Sequence, residues 1–464
     1  MTTKALSKRA GHASPISDPV TPRTMDIRMG AVGRIVSSLV LVVTLAAPAA
    51  AFVPEDTPPR RAEAAGRAML ERPAARGTLP GIVVMRGGRI LWGANIDSPM
   101  LPASIMKLAT TTAAMRRLGP AHRLVTRVLA PAETPIVDTL WLVGGGDPTL
   151  ATESYRRRRF LPKPSDDIQR PAFAGGSPTI ENLAAGVRAA GVRTVGTIVA
   201  DESMFDAERT QPGWLRSYLD DDPDVSYLSA LTVNEGRFGR ERKGLFRDPS
   251  RAAADALVAA LEDAGVSVGG VGVGRAPGSA VEIARVVSPP LAEIVDFINR
   301  YSVNYPSELL LKYLGAREGK AGTTAAGARI VRETLEELGV DMRAVTQADA
   351  SGLSLNNRMT PRAIAGILDL IVSARWDGAD ALRASIPVAG EPGTLLRRMT
   401  RAPTGGNLRG KTGQIRMVRG MAGWVTAADG VPLVYVAVFN RAPSPFSLTA
   451  PLDLFGSLLA LFPR

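Results

Sequence analysis

Twice between residues 180 and 275 the same succession recurs: a helical run, an Ala-Gly-Val triplet, then a short Val-rich strand. Asn182 to Ala190 leads through Gly191-Val192 into Thr194 to Ala200. Arg251 to Ala264 leads through Gly265 into Val266 to Val273. Apolar residues at helical spacing, a glycine stop and a β-branched run are the signature of a helix returning onto a sheet. The succession predicts two similar α/β crossovers or a weak internal duplication. Hydrophobic residues make up 45% of the 464 and charged residues 22%, enough for a sizeable core and two or three domains.

The flanks read differently. A helical stretch near Arg61 to Leu70 precedes two apolar runs, Gly81 to Met85 and Arg89 to Gly93. Arg86-Gly87-Gly88 joins those runs as a hairpin turn. Ala103 to Leu118 reads as a helix with Pro102 close to its start. Past residue 285 come helical runs from Leu291 to Arg300, Ser307 to Leu314 and Thr323 to Leu338. Strands follow from Met421 to Thr426 and Leu433 to Phe439, then an apolar terminal helix from Leu452 to Phe462.

At the other end, Arg28 and Arg34 precede an uncharged run, Ile35 to Ala51, closed by Ala49-Ala50-Ala51. That is the order of a secretory signal and its cleavage site. The run is short of the about 20 residues a spanning helix needs, so an uncleaved anchor is the alternative reading. The polar stretch before Met25 or Met29 adds nothing to such a signal, and one of those methionines reads as the start.

Composition excludes several chemistries. There is no cysteine, hence no disulfide, thiol nucleophile, cysteine-bound metal or lipoprotein anchor. The two histidines are His12 and His122. His12 precedes the export run, and one remaining histidine cannot make a zinc-protease site. His122 stands in Gly119-Pro120-Ala121-His122, a turn entering a strand, and reads as structural rather than as a triad base. No metal or other cofactor is expected. The formal charge is +12, but no basic and aromatic cluster supports nucleic-acid binding. Arg156-Arg157-Arg158-Arg159 reads as a solvated loop.

Lysine is the informative residue. Eight lysines stand among 56 basic residues. Where only positive charge is wanted arginine serves, but arginine cannot lose its proton and lysine can. Two lysines sit in motifs. Ser104-Ile105-Met106-Lys107 is an S-x-x-K, Lys411-Thr412-Gly413 is a K-T-G, and Ser302-Val303-Asn304 lies between them. The three in this order form the signature of penicillin-binding proteins and serine β-lactamases. On a helix, Ser104 and Lys107 share a face one turn apart. The helix start favours a developing alkoxide. A partly buried Lys107 near a second cation, Lys411, would give up its proton and accept that of Ser104. Ser302 would relay a proton to the leaving amine, and Asn304 would hold Lys107 and the substrate amide. Lys411 and Thr412 suit a terminal carboxylate, and Gly413 lets its strand approach the acyl group. The backbone N–H groups of Ser104 and Gln414 would form the oxyanion hole. Ser354-Leu355-Asn356 is a second S-x-N; it reads as loop, and Ser302 is preferred.

At these residues the chain closely resembles the class C low-molecular-mass penicillin-binding proteins, the D-Ala-D-Ala carboxypeptidase/endopeptidase family. Val143-Gly144-Gly145-Gly146-Asp147-Pro148-Thr149-Leu150, Asp201-Glu202-Ser203-Met204-Phe205-Asp206, Pro212-Gly213-Trp214, Asp349-Ala350-Ser351-Gly352-Leu353-Ser354 and Gly390-Glu391-Pro392-Gly393-Thr394-Leu395 match it as well, over roughly residues 65–464. Ser302 follows Ser104 by 198 residues, and a long insertion after S-x-x-K is the family's hallmark.

The resemblance implies an α+β transpeptidase-like domain, an antiparallel sheet with a helical lobe, carrying a large inserted α/β region. The division is then 1–51 signal and leader, 52–125 first part, 126–285 insertion, 286–464 second part. It also implies an exported, periplasmic or extracellular serine DD-peptidase that acts on peptidoglycan stem peptides and is acylated by β-lactams. Membrane contact comes only through an uncleaved anchor. A β-lactamase or S-x-x-K esterase, and a non-catalytic wall-binding protein of the same fold, are the alternatives. One departure stands out: Leu355 occupies the place of the family's usual Arg, and Arg416 is the candidate to replace that charge. Gln414 is also larger than the residue usual after K-T-G.

Overall fold

The computed structural model describes residues 57–160, 173–220, 223–238 and 244–462. The predicted export run and leader lie outside them. In chain order the helices are α1 (Thr57–Leu70), α2 (Lys107–Leu118), α3 (Glu153–Arg159), α4 (Ile180–Ala189), α5 (Pro249–Asp263) and α6 (Leu291–Tyr301). They continue with α7 (Asn304–Glu318), α8 (Thr324–Glu337), α9 (Pro361–Ser373), α10 (Ala379–Ala384) and α11 (Thr449–Ala460). The strands are β1 (Leu79–Arg86), β2 (Arg89–Ala94), β3 (Val125–Ala130), β4 (Ile136–Val143) and β5 (Thr194–Asp201). After them come β6 (Ser267–Val273), β7 (Val281–Val287), β8 (Arg409–Ile415), β9 (Val418–Thr426) and β10 (Pro432–Asn440).

Strand alternation sorts side chains into two layers. The first sheet runs β2-β1-β10-β9-β8, with its neighbours antiparallel. Ile82, Val84, Leu433, Tyr435, Ala437 and Phe439 face one way and pack with Met69 of α1 and Leu452 and Phe455 of α11. Val83, Met85, Val434, Val436 and Val438 face the other way and pack on α2, α6, α7 and α9. The site lies on this second, helical side.

The other sheet runs β6-β5-β4-β3-β7. β4, β5 and β6 are parallel, with α4 and α5 in the two crossovers. The repeated succession in the sequence is therefore a pair of α/β crossovers. Their helices bury Leu183, Val187, Leu257 and Leu261 against Leu140, Leu142 and Ile198. The strands of this sheet span Val125–Val287, and the chain on either side of them meets. Leu124 N donates to Ser288 Oγ at 2.9 Å and Ser288 N to Leu124 O at 2.9 Å.

The arginine run is a correction. It is not a solvated loop but helix α3. The Thr152 hydroxyl caps its start, and Glu153 pairs with Arg156 and Arg157. Arg159 points inward to Glu235 at 2.7 Å and lies 5.3 Å over the Phe297 ring. His122 meets the Tyr313 hydroxyl at 2.8 Å.

Candidate active site

Ser104 sits on a single 3-10 turn, Ala103–Met106, and the α-helix begins only at Lys107. The uninterrupted helix expected from residue 103 is thus corrected. Ala103 takes a φ of +48°, which an α-helix cannot contain. The turn is crowded from outside by Gly352. A Cβ there would stand 1.8 Å from Ala103 O and 2.9 Å from Ser104 N, and its φ is +85°. Only glycine meets both conditions.

Lys107 is fully buried. Its Nζ lies 2.9 Å from Ser104 Oγ, 2.7 Å from Asn304 Oδ1 and 2.6 Å from Ser351 O. Two of these partners can only accept; the serine hydroxyl can also donate. A neutral amine has two hydrogens and one lone pair, so the lone pair falls on Ser104. Burial pushes Lys107 down to about 7, against the upward pull of nearby carboxyl groups, Asp349 foremost.

Ser302 ends α6 in the left-handed region, φ +59°, and α7 starts two residues later at Asn304. The reversal points both side chains at the lysines. Ser302 Oγ accepts from Lys411 Nζ at 2.7 Å, and Asn304 Nδ2 donates to Asp224 O at 2.9 Å, which fixes the amide. Of the two S-x-N candidates, Ser302 and Asn304 meet the lysines. Ser354 instead donates to Pro212 O at 2.5 Å and accepts from Asn356 N at 3.2 Å.

The K-T-G residues form the middle of β8, the edge strand, rather than preceding the strands. Gly410 N donates outward to Pro387 O, so by the period of two the N–H groups of Thr412 and Gln414 also point away from β9. Gly413 lets the strand lie against the serine turn: a Cβ there would be 2.8 Å from Pro102 O. Lys411 is fully buried behind Ser302, and burial together with Lys107 pushes its amine well down.

In front of these residues opens a cleft of about 550 Å³. Ser104, Ser302, Asn304 and Gln414 line it, with Tyr218 and Asp224 on one wall and Arg416, Met417 and Phe446 on another. Phe446 is 70% exposed. The Gln414 side chain accepts from Arg419. Lys107, Lys411 and Gly413 are buried behind the lining, and Thr412 is half-buried beside it.

Sequence reasoning assigned no role to Ser351, Glu308, Asp224 or Tyr218. Ser351 contributes a backbone carbonyl, which has no residue signature. Asp349 gathers the N–H groups of Gly352, Ser354, Trp214 and Asn357 and so shapes the loop carrying Ser351. Its only trace in the sequence was the Asp349 to Ser354 match.

A serine–lysine pair at a helix start, a bridging S-x-N and an edge-strand K-T-G are the arrangement of a serine acyl-transfer enzyme of the penicillin-binding type. The profile of the D-Ala-D-Ala carboxypeptidase 3 (S13) family matches residues 64–244 and 242–455, and the chain belongs to that family. It is 30% identical to the D-alanyl-D-alanine carboxypeptidase of an Actinomadura species over 82% of this chain and 81% of that one. It is 28% identical to a carboxypeptidase of Mycobacterium tuberculosis over 76% of this chain and 74% of that one. The fold matches penicillin binding protein 4 of Haemophilus influenzae at a TM-score of 0.70 and 20% identity, covering 85% of this chain and 97% of that one.

Proposed function

We propose that this enzyme hydrolyses the D-Ala-D-Ala bond of peptidoglycan stem peptides outside the cytoplasm, through an ester on Ser104, and that β-lactams acylate the same hydroxyl. The three partners of Lys107 carry the reading, because they leave its lone pair on the nucleophile. Ser104 Oγ attacks the penultimate D-Ala carbonyl carbon as its proton passes to Lys107 Nζ. The N–H groups of Ser104 and Gln414 hold the oxyanion. The C–N bond then breaks, the leaving D-Ala amine taking its proton through the Ser302 hydroxyl. Water, deprotonated in the same way, releases the acyl group and restores Ser104.

Lys411 acts from behind. It donates to Ser302 Oγ and so orients that hydroxyl, and with Thr412 it stands on the side that takes the substrate's terminal carboxylate. Gly413 keeps β8 close to the serine turn, and Arg416 meets the peptide side chain at the mouth.

The test is fluorescent penicillin labelling followed by measurement of D-Ala released from a pentapeptide. The parent should do both, and Ser104→Ala neither, with its fold intact. Stable labelling of Ser104→Ala would show another nucleophile. Rapid release of hydrolysed penicillin without D-Ala release would make the enzyme a β-lactamase, and activity on neither substrate a wall-binding protein.

A further inference from the structure

Glu308 lies one turn after Asn304 on α7, on the same helix face. It is buried and does not line the cleft. Its carboxyl accepts from Ser351 N at 2.7 Å and from Ala350 N at 3.1 Å. Ser351 O is in turn an acceptor of Lys107. One face of α7 therefore reaches the lysine twice, directly through Asn304 and indirectly through Glu308, which holds the N–H side of Ser351 while Asp349 holds the following peptide through Gly352 N.

We propose that Glu308 is a positioning residue of Lys107: a neutral acceptor of the Ala350 and Ser351 N–H groups, it steadies the loop that sets the Ser351 carbonyl on the amine without adding a further charge beside that amine. The inference rests on Lys107 being the base.

The neutrality follows from the neighbour. Asp349, also buried, receives four N–H donors, whereas Glu308 receives two. Two carboxylates in one buried place cannot both stay ionised, and the less supported one takes the proton. Burial and Asp349 push Glu308 up to about 8, against the pull of the two amides.

The charged and titratable groups around the pair are Asp349 of the loop, Asp224 and Tyr218 of the cleft wall, and Lys411 of β8. With Glu308 uncharged, Asp349 and Asp224 are the anions left to oppose the burial of Lys107. An ionised Glu308 would pull the lysine upward, as Asp349 and Asp224 do.

The experiment measures the rate of fluorescent penicillin acylation from pH 5.5 to 9 for the parent, Glu308→Gln and Glu308→Ala. The labelling end point per chain counts folded enzyme. Glu308→Gln keeps an acceptor and no charge, so its rates should lie within about threefold of the parent, with the same acid limb. Glu308→Ala frees the Ala350 and Ser351 N–H groups and should slow acylation roughly 5- to 150-fold, the range of one lost buried hydrogen bond.

Parental rates in Glu308→Ala overturn the proposal. So does equal slowing in both variants at full end point. So does a fall of the Glu308→Gln acid limb by a pH unit or more, which would show a carboxylate charge on Lys107. If Glu308→Ala does not fold, the Glu308→Gln limb decides alone. Lys107→Arg, run beside them, separates this outcome from failure of the base assignment: an active Lys107→Arg removes the base itself.

Discussion

At Lys107 two carbonyl oxygens and one hydroxyl divide an amine's three directions, and only the hydroxyl can face a lone pair. This sets the pH dependence. The base form grows as pH passes the value of about 7 to which burial lowers Lys107. Penicillin acylation should therefore rise with pH through neutrality and fall away below it. Lys107→Arg keeps the charge but cannot accept the proton. It should lose about 10²- to 10⁴-fold in acylation, the range of a general base, nearly as much as Lys107→Ala. Labelling rates across pH check both points, and a Lys107→Arg enzyme near the parental rate would reduce the lysine to a charge. Arg416 is exposed at the mouth of the cleft, while Leu355 stands away from it with its N–H on Gly213 O. Arg416→Ala should weaken turnover of peptides with a free carboxylate at the third residue by roughly 10- to 150-fold, the range for a charged hydrogen bond. Simple acyl-D-Ala-D-Ala analogues should be turned over nearly as before. Equal loss on both would place Arg416 with the terminal carboxylate instead.

At the level of elements, the site is a convergence of the serine turn, the α6–α7 joint, the 349–354 loop and edge strand β8. Glycines at two contacts permit it. Gly352→Ala would place a methyl 1.8 Å from Ala103 O at a φ of +85°. The loop must then retreat, carrying the Ser351 carbonyl off Lys107. Acylation should fall by about 10²-fold, the order expected for an ångström of misplacement. The strain itself should cost about 1–3 kcal/mol of stability. A variant with that loss of melting temperature but parental labelling would detach the loop from the base. Part of this convergence was legible in the sequence. The β1–β2 hairpin, β9, β10 and the crossovers show because their apolar period matches their burial. The two lysines show because arginine has replaced most others. β8 does not show as a strand: among Arg409-Gly410-Lys411-Thr412-Gly413-Gln414-Ile415 the buried side chain of the middle is a lysine. Its pairing to β9 overrides weak propensity. The 3-10 turn at Ser104 packs against Gly352, almost 250 residues away, a contact with no local signal in the sequence. Helix α3 stayed hidden because Glu235, the partner of Arg159, lies 76 residues further along the chain.

Across the whole molecule, the cleft rests on the core of α2, α6 and α7, and the core around α4 and α5 is separate from it. The core around α4 and α5 holds the second sheet together, with Leu257 buried in it. The segment between β5 and α5, however, sends Phe205, Tyr218, Val225 and Leu228 into the core of α2, α6 and α7. That segment carries Asp224, whose carbonyl fixes Asn304. Leu228 N and O are themselves tied to Arg209, which is held by Glu202 at the end of β5. Leu228→Ala and Leu257→Ala remove the same side chain at equal burial, and each should cost about 2–5 kcal/mol. Their effects on the site should differ. Leu228→Ala loosens the wall that aims Asn304 at Lys107 and should slow penicillin acylation well below the unfolding temperature. Leu257→Ala empties a core that touches none of the site residues and should leave the acylation rate of the folded fraction unchanged. Thermal melts give the stability of each variant, and labelling rates at 25 °C, normalised to the end point, give the site. If Leu257→Ala slows labelling as much as Leu228→Ala, the second sheet supports the cleft directly. If Leu228→Ala labels at the parental rate, the Asp224 wall holds Asn304 without help from the core beneath it.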